Sequence, residues 1–210
     1  VESMSMAPNI IPSRIRQGYK MGGFTTVDHM IGDALTDAFD NVHMGITAEN
    51  IVDQFGLTRE EQDAFAFDSQ QKAIAAVDAG KFKDEIVPIE VTDVSVRNNK
   101  RVETTSLVSV DEGVRPDTTL DSLAALKPVF DTKGIITAGN ASQLSDGSSA
   151  QVVMDSKLAE QKGLEPLGIY RGIAVAGCDP DEMGIGPVFA VPKLLKANGL
   201  TMDDIGLWEL

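Results

Sequence analysis

The chain has 210 residues, 42% of them hydrophobic, which is enough for one large domain or two modest ones and has the composition of an ordinary soluble globular protein. Its formal net charge of -14 argues against the nucleic-acid backbone or an anionic membrane as main partner, because long-range repulsion opposes both. The single cysteine, Cys178, excludes an internal disulfide and suits a reducing compartment; with no apolar run long enough to span a bilayer and no leader peptide, the expected location is cytoplasmic.

In chain order, the first feature is a basic cluster, Arg14, Arg16 and Lys20, in a stretch without acidic residues that reads as a solvated loop. Val27, Met30, Ile31, Leu35, Ala38 and Phe39 recur at helical spacing, so an amphipathic helix is expected over 25–39. Thr58 followed by Glu61 is a capping-box pattern opening a second helix, which Gly80 ends. "DEIVPIEVTDVSV" (84–96) then has the β-branched content of a strand pair, with Pro88 forcing an edge or a break and "RNNK" (97–100) offering a hairpin turn. A short helix over 119–126 is ended by Pro128.

The stretch "GIITAGNASQLSDGSSA" (134–150) runs a β-branched pair into a dozen small or polar residues, with Leu144 the one bulky exception. Such a turn presents backbone N–H groups to a ligand, and Ser142, Ser145 and Asp146 add hydrogen-bonding groups; tight packing of one backbone on another would demand the same residues. It is neither a Walker A loop nor the dinucleotide fingerprint. A helix is expected over 148–161, capped by Ser145 or Asp146 and closed by Gly163. "LGIYRGIAVAG" (167–177) reads as a strand buried on both faces. "GPVFAVPKLLKANG" (186–199) reads as a helix that Pro187 enters and Pro192 kinks or starts, and "DDIGLWEL" (203–210) as the opening of another strand. Strand, helix and strand in succession suggest a parallel βαβ unit.

Several blocks carry a family resemblance. "TAGNASQLSDGSSA" (137–150) resembles a signature of the thiolases. "ESMSMAP" (2–8), "HMGITAEN" (43–50), "TREEQDAFAFDSQQKA" (58–73), "DEGVRPDTTLDSLAALKPVF" (111–130), "MGIGPVFA" (183–190) and "GLWEL" (206–210) are similar to thiolase blocks in the same order and at similar spacing. The resemblance implies an α/β, thiolase-like fold, present in part. Residues 1–7 and 144–165 would end the N-terminal βαβαβαββ half, 8–143 would be an inserted loop domain that covers coenzyme A and carries an oligomerisation arm, and 166–210 would open the C-terminal half.

The same resemblance implies a coenzyme A site. Ser142 would hydrogen-bond a pantetheine amide, and Ala138 and Gly139 would let that arm lie against the backbone. Leu35, His43, Met44 and Phe130 match positions lining the tunnel, Arg115 one near the nucleotide, and Met183 one beside the acyl pocket. Taken without the surrounding blocks, His43 reads as a satisfied buried histidine, Leu35, Met44 and Phe130 as core, and Arg115 as a surface ion-pair partner.

The activity implied is acyl transfer to or from coenzyme A: thiolytic cleavage or Claisen condensation of a 3-ketoacyl-CoA through a cysteinyl acyl-enzyme. The catalytic Cys, His and Asn of the family are expected outside this segment, so no catalytic residue and no metal ligand is assigned within it, and the 210 residues alone are expected to be inactive. Cys178 falls where the family pattern does not require cysteine and reads as a small packed residue near a strand end. Coenzyme A thioesters are expected as substrates with no separate cofactor, within lipid metabolism and in a homo-oligomer, dimer or tetramer. A non-catalytic acyl-CoA-binding module and a structural fragment are the alternatives. Acyl-chain length and reaction direction are left open.

Overall fold

The computed structural model describes residues 1–210. In chain order the elements are strands β1 (Asn9–Ile10) and β2 (Val27–Asp28), helices α1 (Met44–Phe55) and α2 (Arg59–Asp78), strands β3 (Ile89–Arg97) and β4 (Lys100–Val108), and helices α3 (Leu120–Ala124), α4 (Ser156–Gln161) and α5 (Gly186–Asn198). They divide into two compact units, one built from residues 1–56 and 144–210 and the other from 57–143. No helix is long and apolar enough to cross a membrane.

The 57–143 unit follows its local signals closely. Thr58 caps α2: its Oγ1 accepts from the Glu61 amide at 3.2 Å while its own amide donates to Glu61 Oε2 at 2.9 Å. Past the helix, Gly80 takes the left-handed conformation, φ 69°. The hairpin β3–β4 is antiparallel and closes at Arg97–Lys100. Asn98 and Asn99, at φ 52° and 58°, supply the two consecutive left-handed residues that a right-twisted two-residue hairpin demands. A single hairpin therefore stands where a strand pair with a break at Pro88 is expected, and β3 starts just after that proline. Helix α3 carries a reciprocal cap between Thr119 and Ser122 and ends before Pro128.

The other unit departs more from expectation. Residues 25–39 are not an amphipathic helix. Val27–Asp28 pairs with Asn9–Ile10, and Met30–Ala34 is a single π turn. Asp28 Oδ1 accepts from the amides of Met30 and Ile31, and Asp37 Oδ2 from those of Phe39 and Asp40, so two aspartates close local turns that compete with a continuous helix. Helix α1, to which the sequence reading assigned no element, opens on His43 and ends at Gly56, φ 65°.

Helix α4 is also shorter than the expected 148–161. Its cap is Asp155, whose Oδ1 accepts from Lys157 and Leu158, and the closing Gly163 sits at φ 65°. Asp146 is engaged elsewhere, accepting from the amide and the hydroxyl of Ser5, while Glu2 and Gly147 exchange backbone hydrogen bonds at 2.7 and 3.0 Å. The Ser5 hydroxyl, followed by its amide, holds the Asp146 carboxyl below its ordinary pKa of 3.8. A carboxyl whose folded pKa is depressed contributes stability above its unfolded value and loses it as pH falls through the folded one. Ser5→Ala is therefore expected to move the Asp146 titration, followed by carboxyl-carbon NMR, back toward 3.8.

Residues 167–177 form no strand, and neither do 206–210. The 167–177 segment is irregular, resting against α5 at Gly172, where a Cβ would meet Asn198 and Leu194, and at the Val175 carbonyl, which accepts from Lys193 Nζ at 2.7 Å. Its apolar side chains Leu167, Ile169, Ile173 and Val175 are exposed, because strand hydrogen bonding requires a neighbouring strand and none lies beside it. The expected parallel βαβ unit is absent for the same reason. Helix α5 follows its signals, with Pro187 at the entry and Gly199 at φ 65° past the end, and it runs through Pro192.

The buried apolar residues are Val52, Leu123 and Ala159. The chain exposes 17357 Å² in all, against roughly 9,400 Å² for a compact monomer of its mass.

Candidate functional site

The small-residue stretch is shaped by side chains from three parts of the 57–143 unit. Thr137, fully buried, begins a turn in which its amide donates to Asn140 Oδ1 at 2.7 Å and the Asn140 amide returns to the Thr137 carbonyl at 3.3 Å. The Gly139 amide donates to Thr137 Oγ1 at 3.2 Å. Asn140 Nδ2 donates to the Ile135 carbonyl and to Oδ1 of Asp63 on α2, at 3.1 and 3.2 Å.

Asp63 is 4% exposed, and its second oxygen accepts from Arg59 Nε at 2.7 Å. That guanidinium also donates through Nη2 to the carbonyls of Leu123 and Leu126 at 2.5 and 3.1 Å. These carbonyls lie at and just past the C-terminus of α3, where that of Leu123 also accepts from the Leu126 amide at 3.0 Å. The pair is legible in sequence as two opposite charges four apart on a helix. The link from it to Asn140 is a tertiary fact that no local spacing encodes.

Gly139 has a steric explanation inside this unit. A Cβ there would lie 2.6 Å from both Leu123 Cδ2 and Leu126 Cδ1, and the residue's φ is not left-handed. Absence of a side chain makes room for two leucines, whatever else approaches the turn. Ala138 and Ser142 are exposed, and the Ser142 hydroxyl donates to the Gln143 carbonyl at 3.2 Å. Phe130 is half-buried beside Val129, whose amide donates to the Ile136 carbonyl at 3.0 Å. Arg115 is exposed; its amide donates to Gln70 Oε1 of α2 at 3.0 Å, and its carbonyl accepts from Thr118. Arg115, Phe130, Ala138, Gly139 and Ser142 thus belong to one unit.

The remaining candidates lie in the other unit, and three of them meet at the start of α1. Thr36 and His43 form an antiparallel bridge, and the Met44 amide donates to the Leu35 carbonyl at 2.8 Å, setting Leu35 beside His43 and Met44. His43 Nδ1 accepts from the Gly45 amide at 3.0 Å, an N-cap made by an imidazole. Met183 lies on an irregular turn, Pro180–Ile185, that packs against the same helix. There the Asp181 carbonyl accepts from Asn50 Nδ2 at 3.0 Å, and a Cβ on Gly184 would fall 2.6 Å from Ile51 Cδ1. Met44 and Met183 keep 37% and 39% of their surface open, enough for each to touch something else. Cys178, half-buried, stands in the extended run just ahead of that turn.

Two family models match this chain: that described as "Thiolase, N-terminal domain" over residues 1–157 and that described as "Thiolase, C-terminal domain" over 164–210. The chain is 47% identical over 208 residues to the acetyl-CoA acetyltransferase of Chromobacterium violaceum, covering 99% of this chain and 51% of that protein. It is also 47% identical over 210 residues to a probable acetyl-CoA acyltransferase of Staphylococcus epidermidis, again covering 51% of the relative. Among solved structures, the Bacillus anthracis acetyl-CoA acetyltransferase superposes with a TM-score of 0.85 at 40% identity, over 99% of this chain and 50% of the other. That from Syntrophomonas wolfei gives 0.82 at 39% identity, over 99% and 49%. The chain spans about half the length of the curated relatives it matches. With both family models matched in order and the backbone following solved members along nearly its whole length, the α/β chain belongs to the thiolase family.

Proposed function

We propose that these residues are the coenzyme-holding part of an acetyl-CoA C-acyltransferase that moves an acyl group reversibly between a 3-ketoacyl-CoA and coenzyme A. The observation that carries the reading is 47% identity to an acetyl-CoA acetyltransferase over 99% of this chain. In this reading a cysteine thiolate attacks the keto carbonyl, and the carbon–carbon bond breaks to release acetyl-CoA. A second cysteine supplies the proton, and coenzyme A thiolate then takes the acyl group from the enzyme. Histidine and asparagine donors stabilise the oxyanions. Those groups lie outside residues 1–210, and Cys178 is not one of them.

The part played by this chain is binding. The exposed Ser142 hydroxyl, held only by a local carbonyl, is free to turn and donate to a pantetheine amide, with Ala138 beside it adding no bulk. Arg115, exposed in a chain of net charge -14, supplies a positive charge for the nucleotide phosphates. In the 57–143 unit Phe130 is a further candidate for contact with the arm; in the other unit Leu35, His43 and Met44, at the start of α1, are candidates for the arm, and Met183, on the turn packed against that helix, is one for the acyl group. The enzyme works as a homo-oligomer, dimer or tetramer.

The test begins with intact mass and peptide mapping beyond both ends of this sequence, followed by thiolysis of a short 3-ketoacyl-CoA by the full-length protein. Ser142→Ala is expected to raise KM for coenzyme A about 5- to 10-fold with kcat little changed, the loss of one hydrogen bond from binding. Coenzyme A binding without thiolysis in the full-length protein would count against the catalytic reading. Absence of saturable binding would remove both.

A further inference from the structure

We infer that Arg59, Asp63 and Asn140 are positioning residues that fix the shape of the 137–142 turn and through it the affinity for coenzyme A. The second half of this inference rests on the proposed function, whereas the first does not. Asp63 is almost wholly buried, so both its oxygens need partners: Arg59 takes one, and the Asn140 side chain takes the other. Asn140 is thereby anchored at three places, Asp63, the Ile135 carbonyl and the Thr137 amide. Since Gly139 is not left-handed, the turn is set by this side-chain clamp and by the Leu123–Leu126 wall, not by a glycine-only backbone. Arg59 ties clamp to wall, because the guanidinium that pairs with Asp63 also holds the Leu123 and Leu126 carbonyls. Ala138 and Ser142 stay exposed beyond it.

The discriminating variant is Asn140→Asp. It keeps an acceptor for the Thr137 amide but removes the donor that serves both Asp63 and the Ile135 carbonyl, and it sets two carboxylates face to face. The reciprocal pair Asp63→Asn with Asn140→Asp restores one donor and one acceptor across the contact. In the full-length protein, Asn140→Asp is expected to speed deuterium exchange of the peptide spanning 134–143 at least about 10-fold and to raise KM for coenzyme A about 10-fold, with kcat within about 2-fold; the reciprocal pair, which restores the Asp63 contact but not the donor to the Ile135 carbonyl, recovers at least about 2-fold in both. If Asn140→Asp does not fold, Arg59→Lys is the milder probe, keeping charge at Asp63 but unable to serve both leucine carbonyls, with an expected rise in KM of about 3- to 5-fold.

A folded Asn140→Asp protein with unchanged exchange overturns the clamp. Faster exchange with unchanged KM overturns its role toward the coenzyme, as does a fall in kcat that tracks lost folded protein and is not rescued. Should wild type bind no coenzyme A at all, the proposed function fails, and the exchange result still decides the clamp.

Discussion

Prepared as a separate polypeptide, the 210 residues are expected to melt without a sharp transition, to bind an apolar fluorescent dye strongly and to elute as associated species in light-scattering chromatography. A compact monomer of this mass exposes roughly 9,400 Å², and this chain exposes 17357 Å². The difference includes Val152, Val153, Leu167, Ile173 and Leu210, all more than three-quarters open to solvent. Exposed apolar area of that extent favours association, and the unpaired backbone of 167–177 adds groups on which another chain can pair. Soluble monomers with a cooperative urea transition, and an m-value fitting a domain of this length, would show that the chain closes a core by itself.

The second large effect lies at Asp63. Asp63→Ala in the full-length protein is expected to lower its stability by about 3–5 kcal/mol, the cost of leaving one member of a buried pair without its partner. Arg59 would keep a guanidinium whose side chain is 18% exposed, and Asn140 would lose an acceptor in the same step. Replacing both members, Arg59→Met with Asp63→Leu, is expected to cost less than the single change, since no buried charge is then left over. Urea midpoints for the two variants decide the matter. A loss below about 1 kcal/mol for Asp63→Ala would mean that the pair behaves as a surface contact.

What could be read from the sequence divides by the range of the interactions involved. Helix α2 is legible because both halves of its capping box, Thr58 and Glu61, are three residues apart, and the hairpin because Asn98 and Asn99 carry the whole requirement of the turn. Helix α1 was missed because its cap is His43, a residue that seldom signals a helix start. The expected helix over 25–39 had the right apolar spacing, but Asp28 and Asp37 spend their carboxylates on local turns that periodicity does not register. For 167–177 the composition is that of a buried strand; pairing is non-local and no neighbouring strand is present.

The site shows the same division. That something comes close to the backbone at 137–142 is legible from residue size. That Leu123 and Leu126 are what approaches Gly139 depends on how α3 lies against the turn, which no local spacing encodes. The family motifs placed the candidate residues in sequence. The clamp behind one of them joins Arg59 and Asp63 of the 58–73 block to Asn140 of the 137–150 block through contacts across the unit that neither block shows alone.

The 57–143 unit is contiguous and can condense as soon as it is synthesised, whereas residues 1–56 meet their complement, 144–210, only after the whole of it has been made. Helix α1 gains the turn at 180–185 that packs on it only when well over a hundred further residues have followed. At about 5–20 residues per second on the ribosome, that leaves α1 uncovered for roughly 6–25 s. During that interval Ile51 lacks the Gly184 backbone that later packs against it, and the apolar face of α1 stays open to water.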